Sequence, residues 1–219
     1  MKAMILAAGR GERLRPLTDE IPKPLIKVAG KSLIEYHLEN LANTGFKEVI
    51  INTAWLAEKI HDELGDGSNY GVSIQYSDEG NALETAGGII NALPLLGNEP
   101  FLVVNGDIWC DFDFSELAKP GSNTQSHLIL VNNPEHNQHG DFALHDGLVK
   151  NTGDTMYTFS GIGVYNADFF AAQASGALPL APIIRKKCEE NLVSGQLYDG
   201  LWTDVGSLER LQKLERQLG

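Results

Sequence analysis

Four charged side chains stand where phosphate chemistry would use them. The uncharged apolar run Met4–Ala8 opens into Gly9-Arg10-Gly11-Glu12-Arg13-Leu14-Arg15. Gly9 and Gly11 let the main chain turn sharply and aim N–H groups at phosphate oxygens, and Arg13 and Arg15 are planar forks that match phosphate geometry. Lys23 lies between Pro22 and Pro24. Two prolines make that segment stiff and non-helical, which aims an ammonium. Asp107 follows the most uniformly apolar run, Phe101–Val104, by way of Asn105-Gly106. Ligands of open parallel sheets bind beyond the carboxyl ends of the strands, and a carboxylate there holds Mg²⁺ against phosphate oxygens. Each feature taken singly has a plainer reading: solvated arginines on a turn, an ordinary lysine on a rigid connector, an Asx turn or helix cap at Asp107. Its place at a strand end favours the metal for Asp107.

A second glycine pair, Gly87-Gly88, follows Asn81-Ala82-Leu83-Glu84-Thr85-Ala86. Thr85 is expected to cap a helix through Ile89, Ile90, Ala92 and Leu93, with both glycines in its first turn. They leave the backbone open to a flat group such as a nucleobase, or they mark tight helix-to-strand packing. Both readings stand at this level.

The elements that position these residues follow from periodicity. Ser32 with Glu35 three residues on forms a capping box for a helix carrying Leu33, Ile34, Leu38 and Leu41. Glu48–Thr53 reads as a buried strand, Leu56, Ile60 and Leu64 as a short helix ending at Gly65, and Val72–Tyr76 as a strand. This βαβαβ order predicts a parallel sheet. After Gly121 the pattern changes: a strand at His127–Val131, an irregular Asn132–Gly140, two strands hinged on Asp146-Gly147, and a long glycine-containing strand Tyr157–Tyr165. Helices are expected at Ala167–Ala174 and Ala181–Leu192, and a second hairpin around Asp199-Gly200 from Gln196–Tyr198 and Leu201–Asp204. A final helix is capped by Ser207, with Arg210 where a capping box would want Glu or Gln, and its leucines are expected to dock on the domain. The predicted fold class is α/β: a Rossmann-like, mostly parallel sheet with helices on both faces and a small antiparallel insertion walling a second pocket.

At 219 residues and 42% hydrophobic, the chain supports one sizeable core, so a single domain is expected over 1–219. Its net charge of -12, from 17 Lys plus Arg against 29 Asp plus Glu, argues against nucleic acid and anionic membranes as partners. Cys110 and Cys188 make no zinc or disulfide framework, and no apolar stretch approaches the roughly 20 residues of a membrane span, so a reduced cytoplasmic setting is expected. The six histidines share no metal-ligand spacing; the pair His136 and His139 in a loop is set aside. No nucleophile elbow is present. A dehydrogenase-type Gly-x-Gly-x-x-Gly is also absent, because its third position is Leu14. Oligomeric state stays open, with a monomer as the expectation.

Taken together, Gly9-x-Gly11-Glu12-Arg13-Leu14-x-Pro16-Leu17-Thr18, Pro22-Lys23-Pro24-Leu25, Asn105-Gly106-Asp107 and Trp202-Thr203-Asp204-Val205-Gly206 resemble the sugar-1-phosphate nucleotidylyltransferases from end to end. Short length and the wording around Leu83–Gly88 make the chain most similar to the N-acetylmuramate 1-phosphate uridylyltransferases of cell-wall recycling. The resemblance implies an enzyme that takes UTP and a sugar 1-phosphate, with Mg²⁺, and releases pyrophosphate. It implies that Gly9, Gly11, Glu12 and Arg13 cover the triphosphate, that Lys23 steadies the phosphates with Arg13 as the other catalytic cation, and that Asp107 and Asp204 hold Mg²⁺. Ala8 and Glu84, Thr85, Gly87 and Gly88 would line the base pocket, and Asn105, Gly140, Asp141, Ser160 and Gly161 would face the sugar. Residues 1–120 would then be the nucleotide-binding part and 121–219 mainly the sugar-binding part with the second metal ligand. The chain departs from many relatives in reading Leu148-Val149-Lys150-Asn151 where they carry Glu-Lys-Pro. The rival readings are a mannose-1-phosphate guanylyltransferase or other hexose-1-phosphate enzyme, and a nucleotide-sugar-binding regulatory protein. The joint presence of Arg13, Lys23, Asp107 and Asp204 speaks against the regulatory protein.

Overall fold

A computed structural model describes residues Met1–Gly219. In chain order it contains β1 (Ala3–Leu6), α1 (Leu17–Glu20), β2 (Lys27–Val28), β3 (Lys31–Ser32), α2 (Leu33–Asn43), β4 (Glu48–Thr53), α3 (Ala57–Leu64), β5 (Ser73–Asp78) and α4 (Glu84–Leu96). There follow β6 (Phe101–Asn105), β7 (Ile108–Cys110), β8 (Ser126–Val131), β9 (Phe142–His145), β10 (Leu148–Lys150), β11 (Met156–Tyr165), α5 (Leu180–Glu189), β12 (Val193–Tyr198), β13 (Trp202–Asp204) and α6 (Leu208–Leu218).

One sheet of nine strands carries the molecule, in the order β5-β4-β1-β6-β11-β8-β12-β10-β9. The first four are parallel, with β1 central between β4 and β6 in the register Ile5↔Ile51 and Ile5↔Val104. From β11 onward the pairing is antiparallel except for β8 with β12. The α/β fold with helices on both faces is therefore present, and its antiparallel part is a continuation of the same sheet.

Alternation along the strands sorts side chains into two cores. Ala3, Ile5, Leu102 and Val104 face α2 and α3 through Ile34, Leu38, Leu41, Ile60 and Leu64. Met4, Phe101 and Val103 face α4 and α5 through Ile89, Ala92, Ile183 and Ile184, backed by the aromatic group Tyr165, Phe169 and Phe170. Strands buried on both faces need apolar residues at every position, which is why β1, β6 and β8 carry no alternation. A smaller cluster docks α6, whose Leu214 packs with Val28, Leu33, Trp109 and Val205.

Local signals hold at several ends. Glu35 accepts hydrogen bonds from the Ser32 N–H and hydroxyl in a capping box, Asp146 and Gly147 both take positive φ in the β9–β10 turn, and the Ser207 hydroxyl accepts from the Arg210 N–H. Three expectations are corrected. Ala167–Ala174 is only a short 3₁₀ turn, Ala167–Phe170, because its aromatic pair is drawn into the second core. The pairing around Asp199-Gly200 is not a hairpin: β12 joins β8 in the main sheet, while β13 leaves to pair with β7. The Asp111 carboxylate accepts from the Tyr198 hydroxyl and the Leu201 N–H, which holds this divergence open. Thr85 is not a helix cap, since α4 begins at Glu84 with Leu83 before it.

Gly87 and Gly88 lie two positions further into the helix than expected, and both are buried. A β-carbon on Gly87 would run into the Gly176 carbonyl oxygen and the Leu178 N–H, and one on Gly88 into the carboxylate of Glu79 and, at 2.7 Å, the Asn52 amide. Packing, and not an open face for a base, explains the pair. An exposed helical Gly→Ala change stabilises by roughly 0.5–1 kcal/mol. Gly87→Ala is expected to do the opposite here, destabilising by about 1–3 kcal/mol through overpacking in urea or thermal unfolding. A neutral or stabilising result would show that the space is open.

Candidate active site

The first cleft, of about 440 Å³, lies beyond the carboxyl ends of β1 and β6 and is lined by Gly9, Gly11, Glu12, Arg13, Lys23, Thr85, Asn105, Asp107 and Gly206, among others. Residues separated by nearly the full length of the chain thus meet at one site. The loop after β1 is shaped by three anchors. The Ala7 N–H donates to the Asn52 side-chain oxygen at 2.9 Å, and Asn52 in turn donates to Glu79, whose other oxygen takes the Leu83 N–H. Gly11 has φ 65° and sits so close to Thr18 that a β-carbon would lie 2.8 Å from its methyl, while the Thr18 hydroxyl donates to the Gly11 carbonyl. Leu14 is fully buried. Gly9, by contrast, faces open space.

Arg13 lines the cleft. Arg15, expected beside it, is a correction: it pairs with Asp19 at 2.6 Å on the outer side and is not among the cleft residues. Lying just ahead of α1, it is captured locally by an aspartate in that helix's first turn.

Lys23 is buried and its ammonium pairs with the Asp107 carboxylate. Asp204 arrives from the other end of the chain by one ladder, β7 against β13, in the register Asp204↔Ile108, and the Val205 N–H donates to the Asp107 carbonyl at 2.8 Å. The backbone of Asp204 is thereby brought within one residue of the position opposite Asp107. Asp204 is flanked by Arg210 Nη2 at 3.1 Å and His136 Nε2 at 3.0 Å, yet its Oδ1 is buried without a hydrogen bond, because the His136 ring is near but not aligned to donate. A buried, unpartnered carboxylate oxygen suits a hard cation. No group of three or more acidic, imidazole or thiol side chains is gathered here as an all-protein metal cage. That is the donor set of Mg²⁺ held by one or two carboxylates and completed by water and substrate phosphates.

His136 and Arg210 escape sequence reasoning. His136 had been set aside with His139 for lack of spacing, since only the tertiary fold brings the Asn132–Gly140 loop over Asp204. Arg210 did carry a signal: a cation where a capping box would want an acid.

A second cleft, of about 320 Å³, shares Thr85 and Asn105 with the first and continues past Asp141, Phe142, Phe159, Leu180 and Arg185. Asn105 and Asp141, both expected at the sugar, line it; the Asp141 carboxylate is oriented by accepting the Phe159 N–H at 2.9 Å. Glu84, expected at the base, lines this second cleft, with φ 58°. Ser160 is corrected outright. It is buried, its hydroxyl donates to the Ile129 carbonyl and accepts from the Ile162 N–H, and it bridges the irregularity in β11 between Phe159 and Ile162. Gly161, at φ 83°, abuts the Asn105 side chain and so fixes that side chain's place; Gly140, at φ 65°, is packed against Met156 and Tyr157 in the preceding turn. Ala8 is buried behind Gly9.

A model of the nucleotidyl transferase family matches residues 2–219. The chain belongs to that family. It is 52% identical, over 100% of its length and 99% of the relative, to an N-acetylmuramate alpha-1-phosphate uridylyltransferase of Neisseria meningitidis serogroup B. A Caulobacter vibrioides protein of the same name is 33% identical over 99% of this chain and 96% of its own. A solved structure described as a putative glucose-1-phosphate thymidylyltransferase from Bacillus anthracis superimposes with a TM-score of 0.86, covering 100% of this chain and 95% of that one at 21% identity, which shows a shared nucleotidyltransferase fold. No helix is long and apolar enough to cross a membrane.

The strand carrying Asp107 is braced by His37, a fully buried residue of α2 whose Nε2 lies 2.9 Å from the Ile108 carbonyl. Burial pushes its pKa from 6.5 down to about 4, so the ring is neutral and donates. Because the folded value is depressed, only the unfolded chain takes up the proton between pH 6.5 and 4. Stability contributed by the neutral ring is complete above about pH 6.5 and lost as pH falls toward 4. Comparing wild type with His37→Gln, which keeps a donor but does not titrate, is expected to show wild type losing on the order of 3 kcal/mol more across that window. Parallel stability curves would contradict the assignment.

Proposed function

We propose that this family member makes UDP-N-acetylmuramate and pyrophosphate from UTP and N-acetylmuramate 1-phosphate. Two clefts that share Thr85 and Asn105, the first holding Asp107 with Asp204 carried to its neighbourhood by the β7–β13 ladder, are the observation that carries the reading: one cleft has the cations and glycine loop a triphosphate needs, the other has apolar walls and polar acceptors suited to a sugar. The full-length likeness to proteins named for this reaction supports the choice of base and sugar.

In the reaction an oxygen of the sugar phosphate attacks the α-phosphorus of UTP in line, one new phosphoanhydride bond forms, and the bond to the β-phosphate breaks. No side chain has to accept a proton, because both attacking and leaving oxygens belong to phosphates. What the protein contributes is alignment and neutralisation of charge. Residues 9–13 cover the triphosphate, with Arg13 on the departing β and γ groups, where guanidinium offsets the growing charge. Lys23 is placed to turn from Asp107 toward the α-phosphate and the sugar phosphate. Asp107 and Asp204 would hold Mg²⁺, which when bound supplies charge neutralisation between the two anionic substrates. Arg210, paired with the other oxygen of Asp204 at 3.1 Å, keeps that carboxylate in position.

Two expected outcomes follow from those roles. Asp107→Asn and Asp204→Asn should each abolish pyrophosphate release in the presence of Mg²⁺ while leaving the thermal unfolding midpoint within a few degrees of wild type; near-normal rates in either would remove it from the site. Across UTP, GTP, CTP and dTTP, each with the 1-phosphates of N-acetylmuramate, N-acetylglucosamine, glucose and mannose, the highest kcat/KM should fall on UTP with N-acetylmuramate 1-phosphate. A maximum on GTP with mannose 1-phosphate would replace this reading with a guanylyltransferase.

A further inference from the structure

The second cleft holds a cation that none of the roles above uses. Arg185, on α5, lays its guanidinium over the Phe142 ring at 4.9 Å and donates one Nη1 hydrogen bond to the Asp141 carbonyl at 3.2 Å. Its own carbonyl accepts from the Asn151 side chain at 2.9 Å, which ties this point of α5 to the end of β10. Arg185 makes no ion pair, although lysines, arginines and histidines elsewhere in the chain have found carboxylates. A guanidinium has five N–H groups in a rigid fork, and here most of that fork has no protein acceptor.

The surroundings make the cation pointed. It is the only basic residue lining this cleft, and the other charged residues there, Glu84 and Asp141, are both acidic. The Asp141 carboxylate is already turned toward the Phe159 N–H, and no ion pair joins it to Arg185. In a chain of net charge -12, a cleft bearing two carboxylates repels an anionic substituent unless a cation offsets them. Neutral hexoses need no such cation. N-acetylmuramate differs from N-acetylglucosamine by a lactyl ether on its 3-oxygen, which adds a carboxylate and a methyl group.

We infer that Arg185 is the specificity residue that binds the lactyl carboxylate of the sugar substrate, with Phe142 holding the fork flat and the apolar wall of Phe159 and Leu180 accepting the methyl. Planar, two-point recognition of a carboxylate is what a stacked guanidinium offers and an ammonium does not. The inference rests on N-acetylmuramate 1-phosphate being the substrate, and it adds the residue that tells that sugar from its unsubstituted parent.

The test compares kcat/KM for N-acetylmuramate 1-phosphate, its lactyl methyl ester and N-acetylglucosamine 1-phosphate, each with UTP, in wild type, Arg185→Gln and Arg185→Lys. In wild type the free acid should be preferred over both substrates that lack the lactyl carboxylate. Arg185→Gln should lower the preference for acid over ester by roughly tenfold to a hundredfold, chiefly through KM, and Arg185→Lys should restore only part of it. A structural role for Arg185 would lower all three substrates together and leave their ratios unchanged, which overturns the inference while the proposed reaction stands. A wild-type enzyme that ignores N-acetylmuramate 1-phosphate overturns both, and it does so before any variant is made. Matching thermal midpoints for the three proteins exclude misfolding as the cause of a changed ratio.

Discussion

The site depends on one short antiparallel ladder, Ile108–Cys110 against Trp202–Asp204. That ladder joins Asp107, which ends the nucleotide half, to Asp204, which arrives with the last strand. The register Asp204↔Ile108 sets the backbone of the second acid next to that of the first, and the Val205 N–H closes on the Asp107 carbonyl. Three supports hold this ladder against the main sheet. His37 bonds the Ile108 carbonyl from α2, the Trp202 indole donates to the Ser160 carbonyl of β11, and α6 seats Leu214 against Val205 and Trp109. Two of these residues, His37 and Leu214, carry no charge to a phosphate, yet their packing fixes where the ladder sits.

Electrostatics then accounts for a paradox in the composition. A protein with net charge -12 handles two polyanionic substrates, and it does so by concentrating cations where phosphates must lie. Two of those cations, Lys23 and Arg210, are paired with Asp107 and Asp204. Such pairs keep buried charges from standing alone, and they leave each partner ready to exchange toward a phosphate or a divalent cation. Arg13 and Arg185 are different, since neither is paired with a carboxylate, and they mark the two ends of the substrate path.

Much of this was legible in the residues themselves. Strands β1 and β6 read as buried because they are almost wholly apolar and β4 because of its Val49–Ile51 centre, α2 because its cap and its helical periodicity agree, and Asp107 stands out because it follows the most apolar strand of the chain. Side-chain roles that depend on local bonding were not legible. Ser160 reads as a polar group facing a ligand, but the irregularity in β11 consumes its hydroxyl, and no pattern in the sequence marks that irregularity. Gly87 and Gly88 fit either an open surface or a close approach, and only the position of Gly176 and Glu79 decides between them. The Asp199-Gly200 turn carries a strong hairpin signal that long-range pairing overrides, because β12 gains a full ladder with β8 and β13 is needed at β7. His136 reaches Asp204 through a loop whose path no local rule predicts.

Asp107 and Asp204 are proposed to hold one divalent cation together. Crystals grown with Mn²⁺ and a non-hydrolysable UTP analogue would test it through the anomalous signal of the metal. The account predicts a single Mn²⁺ peak bonded to carboxylate oxygens of both Asp107 and Asp204, with Lys23 turned from Asp107 onto phosphate. A Mn²⁺ peak bound by phosphate oxygens alone, with the Lys23–Asp107 and Arg210–Asp204 pairs intact, would contradict it.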